Sequence, residues 1–348
     1  MKSIKSAEVA NKKVLVRCDF NVPLDEEGNI LDDFKIRETL PTIKYLLAKK
    51  AKVVLMSHLG NPEGKVVPYL KLDKVRDRIE KLLEVNIMKS FGVVGRDVEN
   101  QLSRLKKGEI LLLENLRFNK GEIENNAQFA KQLSHLGQIY VNDAFAECHR
   151  AYASMVGVPA LLPSFAGLLL EKEVKNLGKI LKNPKHPLIV IVGGIKIETK
   201  VKFINAISKI ADALIVGPVM NKGIIDKKIT LLRPEKMITP VDEVGTFDIG
   251  EKTIALFREK ILSAKTIFWN GPFGKFEESK YKKGTLAIAK AIIESGAYSV
   301  VGGGETIEFL DKEGMLSTFS HASTGGGAML DFLSGHMLPG LKALDRNT

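Results

Sequence analysis

The chain has 348 residues, longer than one hydrophobic core usually serves, so two domains are expected. Its content of 45% hydrophobic and 27% charged residues is ordinary for a soluble globular protein. The net charge of +11 is compatible with anionic small substrates. A nucleic-acid partner is not expected, because the basic residues are dispersed and form no long run or recognisable motif, and a solvated lysine-rich surface accounts for most of the excess.

Strand-like runs alternate with amphipathic helices along the chain. Residues 14–17 form a short strand, followed by a turn-rich segment at 21–33. Leu40, Ile43, Leu46 and Leu47 mark a helix with Pro41 in its first turn. A strand at 53–56 ends in Ser57-His58-Leu59-Gly60, and Leu72, Val75, Ile79 and Leu82 mark the next helix. A strand at 110–113 runs into Glu114-Asn115-Leu116-Arg117; a helical stripe of Ala127, Ala130, Leu133 and Leu136 precedes a strand at 139–141. This is the pattern of a parallel sheet covered by helices.

The rhythm breaks between Val158 and Pro187. There Leu170, Val174, Leu177 and Leu181 predict a helix connecting two domains. A second series of strands follows at Leu188–Val192, Ala213–Val216, 266–269 and 298–301, with helices that include 254–261 and 286–293. The fold class is therefore α/β, with two doubly wound parallel-sheet, Rossmann-like lobes in three α/β/α layers joined by a hinge helix. The expected boundaries are 1–165, 166–186 for the helix, 187–320, and 321–348 as a hinge and C-terminal segment returning to the first lobe.

Neither cysteine, Cys18 nor Cys148, fits a disulfide framework or zinc spacing, and both are expected as buried thiols in a reducing cytosol. The N-terminal MKSIKSAEVANKK has no apolar stretch, and no run approaches the roughly 18 residues that span a bilayer. A cytoplasmic protein without a membrane partner is expected.

In open α/β sheets ligands bind beyond the carboxyl ends of the strands. In the first half those positions hold Arg17, Asp19, Asn21, His58, Arg117, Asn142, Asp143, His149 and Arg150. They are mainly arginine and histidine, suited to carboxylate or phosphate, with no comparable acidic excess. The second half holds Gly193, Gly194, Lys196, Lys200, Asn270-Gly271-Pro272 and Gly302-Gly303-Gly304-Glu305, suited to a polyphosphate and its metal. Lys196 and Lys200, four apart at a helix start, would share a face beside free N–H groups. Each feature has an ordinary alternative: His58 as a packing residue, Asp19 as a turn former, Asp143 as a structural acid holding an arginine, the glycine triplet as a tight turn. Their repeated position after strands in both halves favours the functional reading.

RCDFNVP at 17–23, SHLG at 57–60, LLENLRF at 112–118, VNDAF at 141–145 and HRA at 149–151 resemble the phosphoglycerate kinase family. So do VGG at 192–194, FWNGPFGKFE at 268–277, VGGGE at 301–305 and SHASTGGGA at 320–328. These motifs run in family order over nearly the whole chain. The resemblance implies a monomeric glycolytic kinase. It would bind 3-phosphoglycerate or 1,3-bisphosphoglycerate in the first lobe and ATP or ADP with Mg²⁺ in the second.

Carried over by position, the resemblance implies glycerate binding at Asp19, Phe20, Asn21, Lys35, His58, Leu59, Gly60, Asn61, Arg117 and Arg150. It implies nucleotide binding at Gly194, Lys196, Lys200, Asn270, Pro272, Glu277, Gly302, Gly303, Gly304, Glu305 and Thr306, with Glu277 at the ribose. Lys35, Lys196, Gly325 and Gly326 would serve the transferring phosphoryl group, with Gly327 beside them, and Glu305 the Mg²⁺. The chain departs from the family with Lys35 in place of an arginine and Asn61 in place of another. It also has Gly217-Pro218-Val219-Met220-Asn221 in the adenine-lining stretch, Glu305 for an aspartate, and a shortened 224–248. Those departures prompt a second reading, a catalytically impaired binding or regulatory protein. A dinucleotide oxidoreductase is disfavoured, because no Gly-x-Gly-x-x-Gly follows a strand.

Overall fold

A computed structural model describes residues 1–245 and 247–345. The chain divides into two compact units, one comprising Met1–Glu173 with Met337–Thr348 and the other Val174–His336.

The first unit is built on a parallel sheet of β1 (Lys13–Arg17), β2 (Lys52–Met56), β3 (Ile87–Lys89), β4 (Ile110–Leu112), β5 (Ile139–Asn142) and β6 (Ser164–Ala166). The spatial order is β3-β4-β2-β1-β5-β6. Val16 of β1 is in register with Leu55 on one side and Val141 on the other. Its helices are α1 (Phe34–Ala48), α2 (Asp73–Leu83), α3 (Arg96–Arg104), α4 (Lys120–Ile123) and α5 (Ala127–Ser134). One sheet face supplies Val14, Val16, Val53, Leu55, Ile110, Leu112 and Val141 to a core with Ile36, Ile43, Leu46, Val75 and Ile79. Leu15, Val54, Leu111 and Tyr140, on the alternate positions, are also fully buried. Burial on both faces is why these strands read as unbroken apolar runs.

α1 starts at Phe34, well before the expected first turn, so Pro41 lies inside the helix. Phe34 and Ile36 are buried, and that burial offsets the hydrogen bond lost at proline. Three-residue strands such as β3 and β6 are too short to show a period in sequence and were not expected.

Helix α6 (Leu168–Lys182) carries the chain across the division between the units. Asp143, one of the polar groups singled out after β5, holds no arginine there. Its Oδ1 accepts the N–H groups of Leu169 (2.9 Å) and Leu170 (3.2 Å) at the start of α6. It is a capping acid.

The second unit has a parallel sheet of β7 (Leu188–Val192), β8 (Ala213–Val216), β9 (Met237–Ile238), β12 (Thr266–Asn270), β13 (Tyr298–Gly302) and β14 (His321–Ser323). Its order is β14-β13-β12-β7-β8-β9, and a short antiparallel pair, β10 (Glu243–Val244) and β11 (Asp248–Ile249), stands apart from it. The helices are α7 (Ile197–Ile207), α8 (Pro218–Asp226), α9 (Glu251–Ser263), α10 (Lys283–Ser295), α11 (Gly304–Lys312) and α12 (Gly326–Leu333). Inside the unit, Phe203 of α7 packs on Phe268 of β12 with ring centroids 5.2 Å apart.

Within the expected hinge and returning segment 321–348, β14 stays with the second unit. It pairs with β13 through Val300↔His321 and Gly302↔Ser323, which keeps β14 and α12 in the second unit. The return begins at Met337. There α13 (Pro339–Asp345) docks on the first unit, with the N–H of Gly340 donating to the carbonyl of Cys148 (2.8 Å).

Candidate active site

In the first unit the chain leaves β1 for β2 on one side and later returns to place β5 on the other. The carboxyl ends of β1, β2 and β5, with that of β4 beyond β2, therefore open onto a topological switch point. Asp19 follows β1, His58 follows β2, Arg117 follows β4 on a 3-10 turn (Leu116–Phe118), and Glu147 follows β5 on another (Phe145–Glu147). All four side chains are buried.

The Nζ of Lys35, in the first turn of α1, donates to Asp19 Oδ2 at 2.7 Å. Burial alone would push the Asp19 carboxyl up. The Lys35 ammonium and the Asn21 N–H outweigh it and hold the carboxyl well below the usual range. The Asn21 side chain accepts from the N–H of Gly60 (2.8 Å), and Gly60's carbonyl accepts from Arg117 Nη1 (2.9 Å).

Arg117 Nη2 donates to Glu147 Oε2 at 2.9 Å, and its guanidinium carbon lies 5.5 Å from the Tyr152 ring centroid. Arg150, which is exposed, stacks over the same ring at 5.9 Å. The fully buried Arg17 donates from Nε to Ser154 Oγ (2.8 Å), and its Nη2 lies 3.4 Å from His58 Nδ1. A guanidinium only donates, so His58 Nδ1 accepts and the ring proton sits on Nε2. Burial, opposed by Asp19 and reinforced by Arg17 and Arg117, keeps His58 neutral by lowering its pKa well below 6.5. Two buried donors here, His58 Nε2 and Arg117 Nε, have no hydrogen-bond partner. Unsatisfied donors beside arginines are what an arriving carboxylate or phosphate would complete.

Two of the expected glycerate positions are buried beneath the surface of the site. Phe20 and Leu59 lie in the hydrophobic core. The N–H of Phe20 is taken by Ser57 Oγ, and both backbone groups of Leu59 are taken by the Asn115 side chain. They support the site from beneath. Asn61 is exposed at its rim. Three acids, Asp19, Glu122 and Glu147, are buried among these cations. Glu122 accepts from Ser154 Oγ (2.6 Å). Glu147 occupies a post-strand position, the rule that located its neighbours, but was not among the residues singled out there.

In the second unit β7 is flanked by β8 and β12, giving the same kind of switch point. The Gly193 N–H donates to the Asn270 carbonyl (2.9 Å) and the Gly194 N–H to that of Pro272 (2.9 Å). A Cβ on Gly193 would stand 2.3 Å from the Pro272 carbonyl oxygen, so only glycine allows this approach. Asn270 Nδ2 donates to the Gly302 carbonyl (2.8 Å), and the Gly271 N–H donates to Thr306 Oγ1 (2.9 Å). Asn270, Pro272 and Thr306 thus tie the strand ends together.

Gly303, at φ +102°, turns the chain from β13 into α11 and leaves Gly304 and Glu305 exposed at the helix N-terminus. Gly325 and Gly326 open α12 next to it, since β14 and β13 are paired. Glu277 is exposed on the loop beyond β12.

Lys196 and Lys200 do not share a helix face as predicted. Lys196 is the N-cap residue of α7, outside the helix, and is exposed; Lys200 is buried. Lys200 Nζ donates to the Gly193 carbonyl. Burial brings the Lys200 ammonium down to about 8, against the pull of Glu305 and with a push from Lys196, so the three charged groups form one electrostatic cluster.

One sheet ends in unsatisfied arginine and histidine donors. The other ends in glycine turns, helix N-termini and two lysines. Both ends carry groups suited to anionic ligands, the equipment of a phosphotransferase. The family model described as phosphoglycerate kinase matches residues 4–228 and 221–336. The chain is 39% identical to the phosphoglycerate kinase of Coprothermobacter proteolyticus, over 99% of this chain and 98% of that protein. It is 42% identical to that of Dictyoglomus turgidum, over 98% and 97%. The crystal structure of phosphoglycerate kinase from Pyrococcus horikoshii superposes with a TM-score of 0.91 at 31% identity, covering 100% of this chain and 99% of that one. The chain belongs to the phosphoglycerate kinase family. The alignments with the two bacterial relatives extend over 387 residues, so those relatives carry segments this 348-residue chain lacks. The two family matches meet at 221–228, in and just after α8, which agrees with the shortening expected there.

Proposed function

We propose that this chain transfers a phosphoryl group reversibly between 1,3-bisphosphoglycerate and ADP, giving 3-phosphoglycerate and ATP, as a Mg²⁺-dependent cytoplasmic monomer of glycolysis. The observation that carries the assignment of substrates is the contrast between the two sites. Buried, partnerless donors at His58 and Arg117 suit a small dianionic acid. The glycine turns with Lys200 suit a polyphosphate. No described helix is long and apolar enough to cross a membrane.

In the forward step the bond between phosphorus and the acyl oxygen breaks, and a bond forms from phosphorus to a terminal oxygen of ADP. Both the attacking phosphate and the departing carboxylate are anionic at neutral pH, so no general base is needed. Charge neutralisation, alignment and exclusion of water are the requirements. In the first unit, neutral His58 would donate from Nε2, while Arg117 and Arg150 supply charge-assisted donors and Asp19 steadies Lys35. In the second, Lys200 and the amides at Gly303 and Gly304 would hold the nucleotide phosphates, with exposed Lys196 reaching the moving group.

Mg²⁺ commonly keeps most of its waters and uses one or two carboxylates plus substrate phosphates. A single exposed carboxylate at Glu305, in the same electrostatic cluster as Lys200, fits that mode. When bound, the ion would supply neutralisation of the polyphosphate. The family relatives favour the enzyme over the impaired binding protein. A coupled assay of ATP formation from 1,3-bisphosphoglycerate and MgADP tests it: steady turnover is expected, and binding of both ligands without turnover would restore the alternative.

Two outcomes follow for single groups. Lys200 is an ammonium below about pH 8 and loses its proton above that in the free protein. A polyphosphate favours the charged form, so MgADP affinity should fall as pH rises from 7 to 9.5, with proton uptake on binding at the alkaline end. Calorimetry in buffers of different ionisation heat reads this; flat affinity with no uptake contradicts it.

Lys35→Arg should raise kcat by about tenfold, and at most a hundredfold, while leaving KM for 3-phosphoglycerate nearly unchanged. An arginine fork can hold Asp19 and present a further donor in a fixed plane, whereas the remaining donors of the lysine ammonium, bonded to Asp19 at 2.7 Å, lack that fixed geometry. A flat or lowered kcat shows that the site has repacked around lysine or that a step other than chemistry limits turnover.

A further inference from the structure

The cationic site of the first unit contains a carboxylate that its proposed ligand would have to meet. Glu147 Oε2 accepts from Arg117 Nη2 at 2.9 Å and lies 3.9 Å from Arg17 Nη2. Its other oxygen lies 3.6 Å from the partnerless His58 Nε2. Glu147 is thus the shared counter-ion of the donors expected to grip the glycerate.

It is also rigidly placed. It is 7% exposed, it ends the 3-10 turn after β5, and its carbonyl accepts the Arg150 N–H at 2.9 Å. The Gly60 carbonyl and the Tyr152 ring hold Arg117 from two further sides. Asp19 and Glu122 are the other acids nearby. Asp19 is engaged by Lys35, and Glu122 by Ser154.

We propose that Glu147 is a positioning residue for Arg117 that also sets the net charge of the glycerate site, weakening its hold on simple anions in favour of a ligand shaped to the oriented fork. The inference rests on reading this cluster as the glycerate site. A guanidinium paired to a carboxylate attracts a passing tetrahedral anion weakly, because the two charges nearly cancel a few ångströms away. The same pairing fixes which edge of the fork is presented, and that orientation matters to 3-phosphoglycerate and not to a symmetric ion.

Inorganic sulfate and 3-phosphoglycerate separate the two roles. Their affinities are measured on the full-length protein at constant ionic strength, with kcat and KM alongside. Glu147→Gln keeps the shape and removes the charge. It should bind sulfate about tenfold more tightly than wild type and lower kcat/KM for 3-phosphoglycerate. Glu147→Asp keeps the charge and shortens the reach. Its sulfate affinity should stay within about twofold of wild type, while KM for 3-phosphoglycerate rises as Arg117 slackens.

Sulfate affinity unchanged or weakened in Glu147→Gln overturns the charge role, and an unchanged KM in Glu147→Asp overturns the positioning role. If Glu147→Gln does not fold, Glu147→Asp still decides: sulfate tightening there on the tenfold scale shows that geometry rather than charge limits anion binding. Arg117→Ala separates this proposal from the site assignment. If it leaves 3-phosphoglycerate affinity intact, the glycerate site itself is misassigned. If it abolishes that affinity while the Glu147 variants behave as wild type, only the present inference fails.

Discussion

Lys196→Ala is expected to lower kcat by about a hundredfold to a thousandfold, with KM for both substrates changing much less. Lys196 is exposed, stands at the N-cap of α7, and makes no ion pair among the described residues. It carries no fold-stabilising contact whose loss would confuse the result. Its charge is felt at Lys200, and its side chain is free to serve a mobile group in a way that Lys200, bonded to the Gly193 carbonyl, is not. An interaction made mainly in the transition state appears in kcat rather than in KM. Thermal unfolding should be nearly unchanged. A near-wild-type kcat would remove Lys196 from the mechanism and leave Lys200 and the helix N-termini as the sources of neutralisation.

Arg117→Ala is expected to weaken 3-phosphoglycerate binding by roughly a hundredfold, about 3 kcal/mol, and to destabilise the first unit as well. The binding loss follows from removing charge-assisted donors at a buried position. The stability loss follows from stranding the Glu147 carboxylate, which would retain only neutral His58 at 3.6 Å and Arg17 at 3.9 Å. Breaking a buried pair by removing one partner costs about 3–5 kcal/mol in general. The presence of Arg17 places the expected cost near the lower end, and denaturant titration reads it directly. Arg117→Lys restores the charge without the fork. It should recover most of the stability and little of the affinity. Equal recovery of both would show that charge alone matters at this position.

The strands that carry the site were legible because they are buried on both faces. Leu188–Val192 reads as an uninterrupted apolar run and is β7 residue for residue. Placing ligands after parallel strands then located His58, Arg117, Lys200 and the glycine turns without any contact information. What that reasoning missed was tertiary. Which side of a helix start a lysine occupies depends on where the first turn begins. Lys196 falls just outside α7 and Lys200 inside, so equal spacing did not mean equal exposure. Phe20 and Leu59 belong to motif stretches whose pattern does not distinguish a ligand contact from the core beneath it. Glu147 went unnoticed because it belongs to none of the motif stretches, and its 2.9 Å pairing with Arg117 is a tertiary contact. Strands of two or three residues such as β9 and β14 are defined by their pairing, which no local pattern encodes.

The assignment of one substrate class to each sheet is tested most directly by a crystal structure with 3-phosphoglycerate and MgADP both bound. The account predicts the glycerate's acidic groups within hydrogen-bond distance of Arg117, Arg150 and His58 Nε2. It predicts the nucleotide phosphates at Lys200 and the amides of Gly303 and Gly304, with the metal on the phosphates beside Glu305. Glycerate seated elsewhere, or nucleotide phosphates held away from Lys200, would contradict it.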